Sequence, residues 1–294
     1  GMASKTEINF RNTRLGRAGY FLRKDVSIFA KTLWQNFAFL LPFFCCIMKL
    51  YREEGVPMKQ AVITGATGGI GHALAEGFAA AGYFVIATDL PETADFTGEN
   101  IVYLPMDLRQ ETDIKQFFEH ARQKYGVIDV LVNCGAISHL QKSPWELTAA
   151  EFDNVIHTNL RGTFLCCQNF LRANEGADYG RIINIASTRW HQNEAGWEAY
   201  GASKGGVVSL TNSLCVSLSD RAVTVNAISP GWIETGDYDA LTEADHKQHP
   251  SGRVGKPADI LRACLFLAAA ESDFINGINL VVDGGMTKRM IYVE

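Results

Sequence analysis

Ser187, Tyr200 and Lys204 stand thirteen and then four residues apart, and together they could carry a proton to or from a hydroxyl group. A tyrosine and a lysine at i and i+4 share one helix face, so their side chains are neighbours. A phenol titrates near pKa ~10 and is a poor proton-transfer group at neutral pH. A fixed ammonium beside it favours the phenolate, which predicts a lowered value nearer the range where acid–base catalysis works. Tyr-x-x-x-Lys alone is a common surface pattern. Its meaning depends on what the rest of the chain builds around it.

Upstream, the chain supplies the elements of a dinucleotide site. Lys59-Gln60-Ala61-Val62-Ile63 reads as a short apolar strand, Thr64 to Gly71 as a glycine turn, and His72 to Phe78 as the start of a helix. In that order, Gly65, Thr67, Gly68, Gly69, Ile70 and Gly71 would form a phosphate cradle. Glycine lets the backbone approach a pyrophosphate, and a helix N-terminus offers unpaired N–H groups and a positive dipole end. A second strand, Phe84 to Thr88, ends in Asp89, 18 residues beyond Gly71, with Leu90 following. A carboxylate there would accept hydrogen bonds from an adenosine ribose diol and repel a 2′-phosphate. Neither the glycine turn nor that strand end supplies a Lys or Arg. The expected cofactor is NAD.

With these residues in place, the chain from about Met58 to Glu294 resembles the classical short-chain dehydrogenase/reductase family. Thr64 to Gly71 fits the family's cofactor motif in full. Asp107 and Leu108 look like the residues that usually hold the adenine after the third strand. Asn133-Cys134-Gly135-Ala136 sits where the family has Asn-Asn-Ala-Gly, so Asn133 matches and the next three residues depart. The resemblance implies cofactor roles for Asn133 and Gly135, and for Pro230, Gly231, Ile233 and Thr235 around the nicotinamide. It also implies a catalytic set of Asn159, Ser187, Tyr200 and Lys204, with Asn159 holding a water in a proton relay and Tyr200 and Lys204 touching the cofactor too. Family members are mostly homotetramers joined through long helices, here the stretches 148–173 and 199–220.

The pattern after Met58 alternates short β-rich runs with longer helical ones. Strands are predicted near 60–64, 84–89, 101–105, 128–133, 180–186, 222–228 and 278–282, and helices near 69–82, 111–125, 148–173, 199–220 and 257–270. Continuous apolar runs such as Ile182-Ile183-Asn184-Ile185 suit strands covered on both faces. The reading is an α/β fold, a doubly wound Rossmann-type parallel sheet of about seven strands with helices on both faces. Ligands in such sheets bind beyond the carboxyl ends of the strands, where Asp89, Asn133, Ser187 and Pro230 fall. Between Asp89 and Asp107, the stretch Pro91 to Gly98 has little helical character and is expected to form a loop or a single turn.

Composition is that of an ordinary globular protein: 294 residues, 47% hydrophobic and 20% charged, enough for one core of roughly 240 residues plus an appendage. A net charge of −5 gives no reason to expect a nucleic-acid partner. The seven cysteines lack metal-like spacing and read as free thiols of a reducing cytoplasm. His246 and His249 lie in a polar loop, and no metal site is expected.

Residues 1–57 stand apart as an N-terminal extension. They hold nine basic and four acidic residues, net +5, against 18 and 28, net −10, in the catalytic domain 58–294. Gly1 ahead of Met2 looks like a cloning remnant. The apolar run Phe37 to Met48 is 12 residues long and broken by Pro42, too short to span a membrane. An interfacial helix, an arm reaching a neighbouring subunit and an over-extended gene start all fit; Arg52-Glu53-Glu54-Gly55 could be encoded by a purine-rich stretch resembling a ribosome-binding site ahead of Met58.

The expected activity is NAD-dependent hydride transfer to or from a secondary alcohol or ketone, in the cytoplasm. His139, Trp190, His191, Trp197 and Trp232, with Gln192 and Glu194, are the candidate substrate residues. Aromatic faces beside polar groups suit a sugar or polyol. The alternatives are a 3-oxoacyl-carrier-protein reductase, a catalytically silent NAD-sensing protein, and a membrane-tethered enzyme.

Overall fold

The computed structural model describes residues 58–290; the N-terminal extension and the last four residues lie outside the described residues. Seven strands form one parallel sheet: β1 (Gln60–Thr64), β2 (Phe84–Thr88), β3 (Ile101–Tyr103), β4 (Val130–Asn133), β5 (Gly180–Ile185), β6 (Val223–Pro230) and β7 (Asn279–Val282). Their order is β3-β2-β1-β4-β5-β6-β7. The chain winds outward from β1 to β3, then returns to place β4 on the other side of β1. Strand order reverses there, and the crevice outside the carboxyl ends of β1 and β4 is where such sheets bind ligands.

Every predicted strand is present, displaced by at most two residues at either end. The helices are α1 (Gly69–Ala80), α2 (Glu111–Tyr125), α3 (Ala149–Ile156), α4 (Gly162–Ala173), α5 (Glu198–Ser217), α6 (Glu243–Lys247) and α7 (Pro257–Ala268). No helix forms over residues 90–100. Two details differ from the sequence reading. The stretch 148–173 is interrupted by a π-helical segment, His157–Arg161, between α3 and α4. His246 lies in α6 rather than in a loop, because Thr242 and Asp245 form a capping box that closes this short helix.

Period-two alternation assigns the strand residues to two cores. Ala61, Ile63, Val85, Ala87, Val130 and Val132 face α1 and α7, where Leu74, Phe78, Ile260 and Leu267 meet them. Val62, Ile86, Leu131, Ile182 and Val225 face the other way, against Ile114, Phe118, Cys166 and Phe170 of α2 and α4. β4, β5 and β6 are buried along their whole length, which suits their largely apolar composition and leaves Asn133, Arg181, Asn184 and Asn226 as buried polar side chains.

Among the described residues, no helix is long and apolar enough to cross a membrane. Phe78 is fully buried in the first core, its ring 5.0 Å from Tyr83. Phe78→Ala should destabilise the fold by about 3–5 kcal/mol, read as a lowered midpoint in urea unfolding. An unchanged midpoint would mean that α1 does not anchor this core.

Candidate active site

The crevice takes its shape from close backbone approaches that only glycine allows. Gly65, at the end of β1, has a φ of 67°, and a Cβ there would lie 2.5 Å from Gly135 Cα. The loops after β1 and β4 therefore touch, joined also by Thr64 Oγ1, which accepts from the Cys134 and Gly135 amides at 3.1 Å each. A Cβ on Gly71 would meet the Gly65 carbonyl at 2.0 Å, so α1 could not otherwise start where it does. α1 is preceded by Gly68 at its N-cap, with no side-chain cap and no acidic residue in its first turn. Its N–H groups and dipole are left to whatever enters the cleft.

Asp89 stands at the rim. Its carboxylate accepts from the Thr67 amide at 3.0 Å, the Thr67 hydroxyl at 2.5 Å and the Leu90 amide at 2.8 Å. It thus braces the glycine turn as well as facing the cleft. Asp107 is bound by Arg109, whose Nε and Nη2 donate to it at 2.9 and 2.7 Å. That guanidinium holds the Asp107 carboxyl below its usual range. Arg109 lines this end of the cleft and escaped the sequence reading because no motif singles it out.

At the other end the turn after β5 brings in Ser187, and the end of β6 with the loop after it brings in Pro230, Gly231, Ile233 and Thr235. Thr235 lies so near the glycine turn that a Cβ on Gly69 would sit 2.3 Å from its own Cβ. Tyr200 and Lys204, one turn apart on α5, line the same cleft as Ser187. The three residues with which the sequence reading began are therefore neighbours in space.

Lys204 is 3% exposed, its Nζ donating to the Ile185 carbonyl at 2.7 Å and standing 5.7 Å from the centre of the Tyr200 ring. Burial disfavours its charge and lowers its pKa to about 8. Tyr200 corrects the expectation of a lowered phenol. Its pKa is raised, because the desolvation of a buried phenol outweighs the hydrogen bond from Ser187 and the attraction of Arg189. Without other charges in the cleft, Tyr200 is held in its protonated form. Cys134, where the family pattern has an amide, lines the cleft beside this pair, and burial pushes its thiol up to about 11. That is inert at neutral pH.

Two predicted residues turn away from the cleft. Asn133 is the last residue of β4, and strand alternation points its side chain into the second core. There it donates to Asn184 Oδ1 at 2.8 Å and Cys167 Sγ at 3.4 Å. Asn159, 1% exposed in the π segment, clamps the loop after β4. Its Oδ1 accepts from the Ile137 amide at 2.7 Å, and its Nδ2 donates to the Ile137 carbonyl and to Ser203 Oγ at 3.0 Å each. Both side-chain donors are engaged, so Asn159 acts as a positioning residue that fixes one wall of the site.

A second cavity of about 870 Å³ adjoins the cleft and shares Ser187 and Gly231 with it. Of the predicted substrate residues, Trp232, Gln192 and Glu194 line it. His139 is exposed and lines neither cavity. The rings of Trp190 and His191 pack tilted against each other, 4.5 Å between centroids, on the exposed side of a 3-10 turn. Trp197 is packed between the Arg189 guanidinium at 4.3 Å and the edge of the Tyr200 ring at 5.7 Å, so it supports the phenol from behind. The sequence reading missed Arg189, Gln248, Met286 and Arg289 on this wall. Arg189 was discoverable as a neighbour of Ser187; the others arrive from elements without a motif.

An uncapped helix start, a glycine cradle and a carboxylate at the ribose position fit a dinucleotide, and a buried Tyr–Lys–Ser set beside them fits an oxidoreductase that moves a proton with a hydride. The comparisons agree. A family profile described as "Enoyl-(Acyl carrier protein) reductase" matches residues 65–287. An uncharacterized oxidoreductase of Thermotoga maritima is 42% identical over 253 residues, 80% of this chain and 98% of that protein. The 3-oxoacyl-[acyl-carrier-protein] reductase FabG of Escherichia coli is 34% identical over 237 residues, 78% of this chain and 97% of that protein. Among solved structures, ElxO with NADP bound has a TM-score of 0.72 at 28% identity, covering 79% of this chain and 100% of that one. The chain belongs to the short-chain dehydrogenase/reductase family of oxidoreductases, which bind a nicotinamide cofactor.

The buried lysine has a measurable consequence. Between pH 8 and about 10.5 the unfolded chain binds the Lys204 proton more tightly than the folded one, so stability rises with pH across that window. Below pH 8 the full penalty is present, on the order of 3 kcal/mol for the difference between 10.5 and about 8. Lys204→Met should therefore lose turnover yet unfold no more easily than the parent at pH 7, its relative stability declining as pH rises to 10.5. A variant destabilised equally at both pH values would show that Lys204 is not held against its charge.

Proposed function

We propose that the chain catalyses reversible hydride transfer between NAD(H) and a secondary alcohol or its ketone, with a hydroxylated, sugar- or polyol-like substrate. The observation that carries this reading is the convergence of Ser187, Tyr200 and Lys204 in the glycine-built cleft. The glycine turn and the open end of α1 would hold the pyrophosphate, Asp89 the adenosine ribose, and Pro230, Gly231 and Thr235 the nicotinamide end. When bound, the nicotinamide supplies the hydride acceptor or donor. Ser187 Oγ, kept in place by the Arg189 amide at 3.3 Å, hydrogen-bonds the substrate oxygen and stabilises charge developing there. Tyr200 hands a proton to that oxygen in reduction and withdraws it in oxidation. Its raised pKa suits the donating role, so reduction should be favoured at neutral pH and oxidation at alkaline pH. Lys204 offers its remaining N–H groups to the space between the phenol and the cofactor ribose.

Tyr200→Phe is expected to lower kcat at least a thousandfold while the Kd for NADH changes less than threefold. Parental turnover in that variant would end the assignment of Tyr200 as proton carrier, and a parent with no turnover on any alcohol or ketone would favour an NAD-binding protein instead.

Asp89 supports NAD over NADP, since its carboxylate would lie against a 2′-phosphate. Arg109, the nearby base, is already paired with Asp107. Asp89→Ala should shift the NADP-to-NAD ratio of kcat/KM upward at least tenfold. The ratio is the proper readout, because loosening of the Thr67 turn affects both cofactors alike. An unchanged ratio would place ribose recognition elsewhere.

The second reading is a 3-oxoacyl-carrier-protein reductase. FabG's similarity favours it, and the NADP in ElxO shows that a relative of this fold takes the phosphorylated cofactor. Efficient reduction of an acetoacetyl thioester with NADPH, and none with NADH, would replace the polyol reading with this one.

A further inference from the structure

The cavity beyond Ser187 carries a charge pattern that the hydride-transfer chemistry itself does not use. Its charged lining residues are Arg189, Glu194 and Arg289. Arg189 and Glu194 form an ion pair, which cancels one positive charge and fixes the Arg189 guanidinium on the Trp197 face. Arg289 has no carboxylate partner among the described residues. Its Nη1 donates to the Lys247 carbonyl at 2.9 Å, which ties the C-terminal segment to the end of α6 beside Gln248.

That segment is seated firmly against the cleft. Asp283 accepts from the Gly285 amide at 2.8 Å and from the amide and hydroxyl of Thr287 at 2.8 and 2.7 Å. A Cβ on Gly231, which both cavities share, would lie 2.7 Å from Asp283 Cβ. Arg289 is thus placed by a capped turn that leans on the nicotinamide end of the site. Between Ser187 and Arg289 the wall offers the amide side chains of Gln192, Asn193 and Gln248. All three are exposed, and among the described residues none makes a side-chain hydrogen bond, though Asn193 Oδ1 lies against Gly201 of α5, where an added Cβ would be 2.7 Å away. Amides both donate and accept, as hydroxyl groups require, whereas a guanidinium matches a carboxylate in planar, two-point fashion.

We propose that this cavity selects a hydroxy acid: a secondary alcohol, or its ketone, on a hydroxylated chain whose far end carries a carboxylate that Arg289 recognises. The proposal rests on the hydride-transfer reading, whose substrate class it narrows. It assigns specificity to three features: the excess positive charge of the wall, the unpaired amides, and the fixed Arg289.

The test compares acids with uncharged polyols of matched skeleton, gluconate with sorbitol and galactonate with galactitol, and adds 3-hydroxybutyrate with 2-butanol. Binding to the enzyme–NADH complex is measured by calorimetry, and turnover with NAD separately by absorbance. At least one acid should bind tenfold or more tightly than its neutral partner, and that preference should fall as salt is raised. Arg289→Gln should reduce the acid-to-neutral preference at least tenfold, Arg289→Lys should restore part of it, and the Kd for NADH should stay within twofold in both. Equal binding of acids and polyols, or a preference untouched by Arg289→Gln, overturns the inference while leaving hydride transfer standing. Selective acid binding with no turnover of any compound sustains the recognition and sinks the catalytic reading instead. Binding confined to the acetoacetyl thioester overturns the hydroxy-acid assignment.

Discussion

An ammonium held out of water is the constraint around which the site is arranged. Lys204 sits at the inner end of the crevice with one hydrogen bond to the end of β5, and its pKa is pulled to about 8 by desolvation. Its phenol neighbour is displaced in the opposite direction for the same reason, since burial penalises any charge that appears. The two shifts leave the proton on Tyr200 and make Lys204 the easier group to neutralise. A site of this kind is poised to respond to charge brought in by a ligand, because no internal carboxylate has already compensated it.

Holding that pair in place requires rigid surroundings, and the parallel sheet provides them. β5 supplies the carbonyl that meets Lys204, and the turn after it supplies Ser187. α5 fixes the spacing of Tyr200 and Lys204, and Trp197 backs the phenol ring. The opposite wall depends on Asn159. By bonding both the amide and the carbonyl of Ile137, it does for the loop after β4 what another strand would otherwise do. The π segment that carries it, at the joint between α3 and α4, is the kind of local irregularity that tends to sit at functional positions. Gly162, just after that joint, comes so near Leu108 that an added Cβ would fall 2.7 Å from its carbonyl. The Tyr200–Lys204 end of the crevice and the Asp107–Leu108 end are thereby linked through one helix start.

The glycine turn shows how tightly local sequence and tertiary packing are joined. Gly65 needs its positive φ, which the sequence alone makes plausible. Gly71 and Gly69 need to be glycine because the Gly65 carbonyl and Thr235 occupy the space of a side chain. Asp89 has two parts in this arrangement, bracing Thr67 while presenting its carboxylate at the rim. A single residue thus ties the glycine turn to the end of β2 while its carboxylate lines the crevice.

Much of this was legible in the sequence, because short-range patterns encode it. Seven apolar runs set the strands, the glycine spacing set the turn, and the i, i+4 pairing set Tyr200 beside Lys204. What the sequence could not reveal depends on which way side chains point once elements pack. Asn133 matched the expected motif, yet strand alternation sends its amide to Cys167 and Asn184. Trp190, His191 and Trp197 looked like a substrate wall, yet the turn after Ser187 leaves two of them exposed and packs the third against the phenol ring. Arg289 and Gln248 reach the cavity from segments far apart in sequence, joined there by the Lys247 carbonyl and the Asp283 turn. The direction of the Tyr200 shift also belonged to the tertiary structure, since spacing places a lysine beside a phenol but only packing decides how much water both have lost. Sequence by itself determined the fold and the pairing of Tyr200 with Lys204, whose signals are local; the tertiary structure decided burial and the far wall, which arise only when distant segments exclude water together.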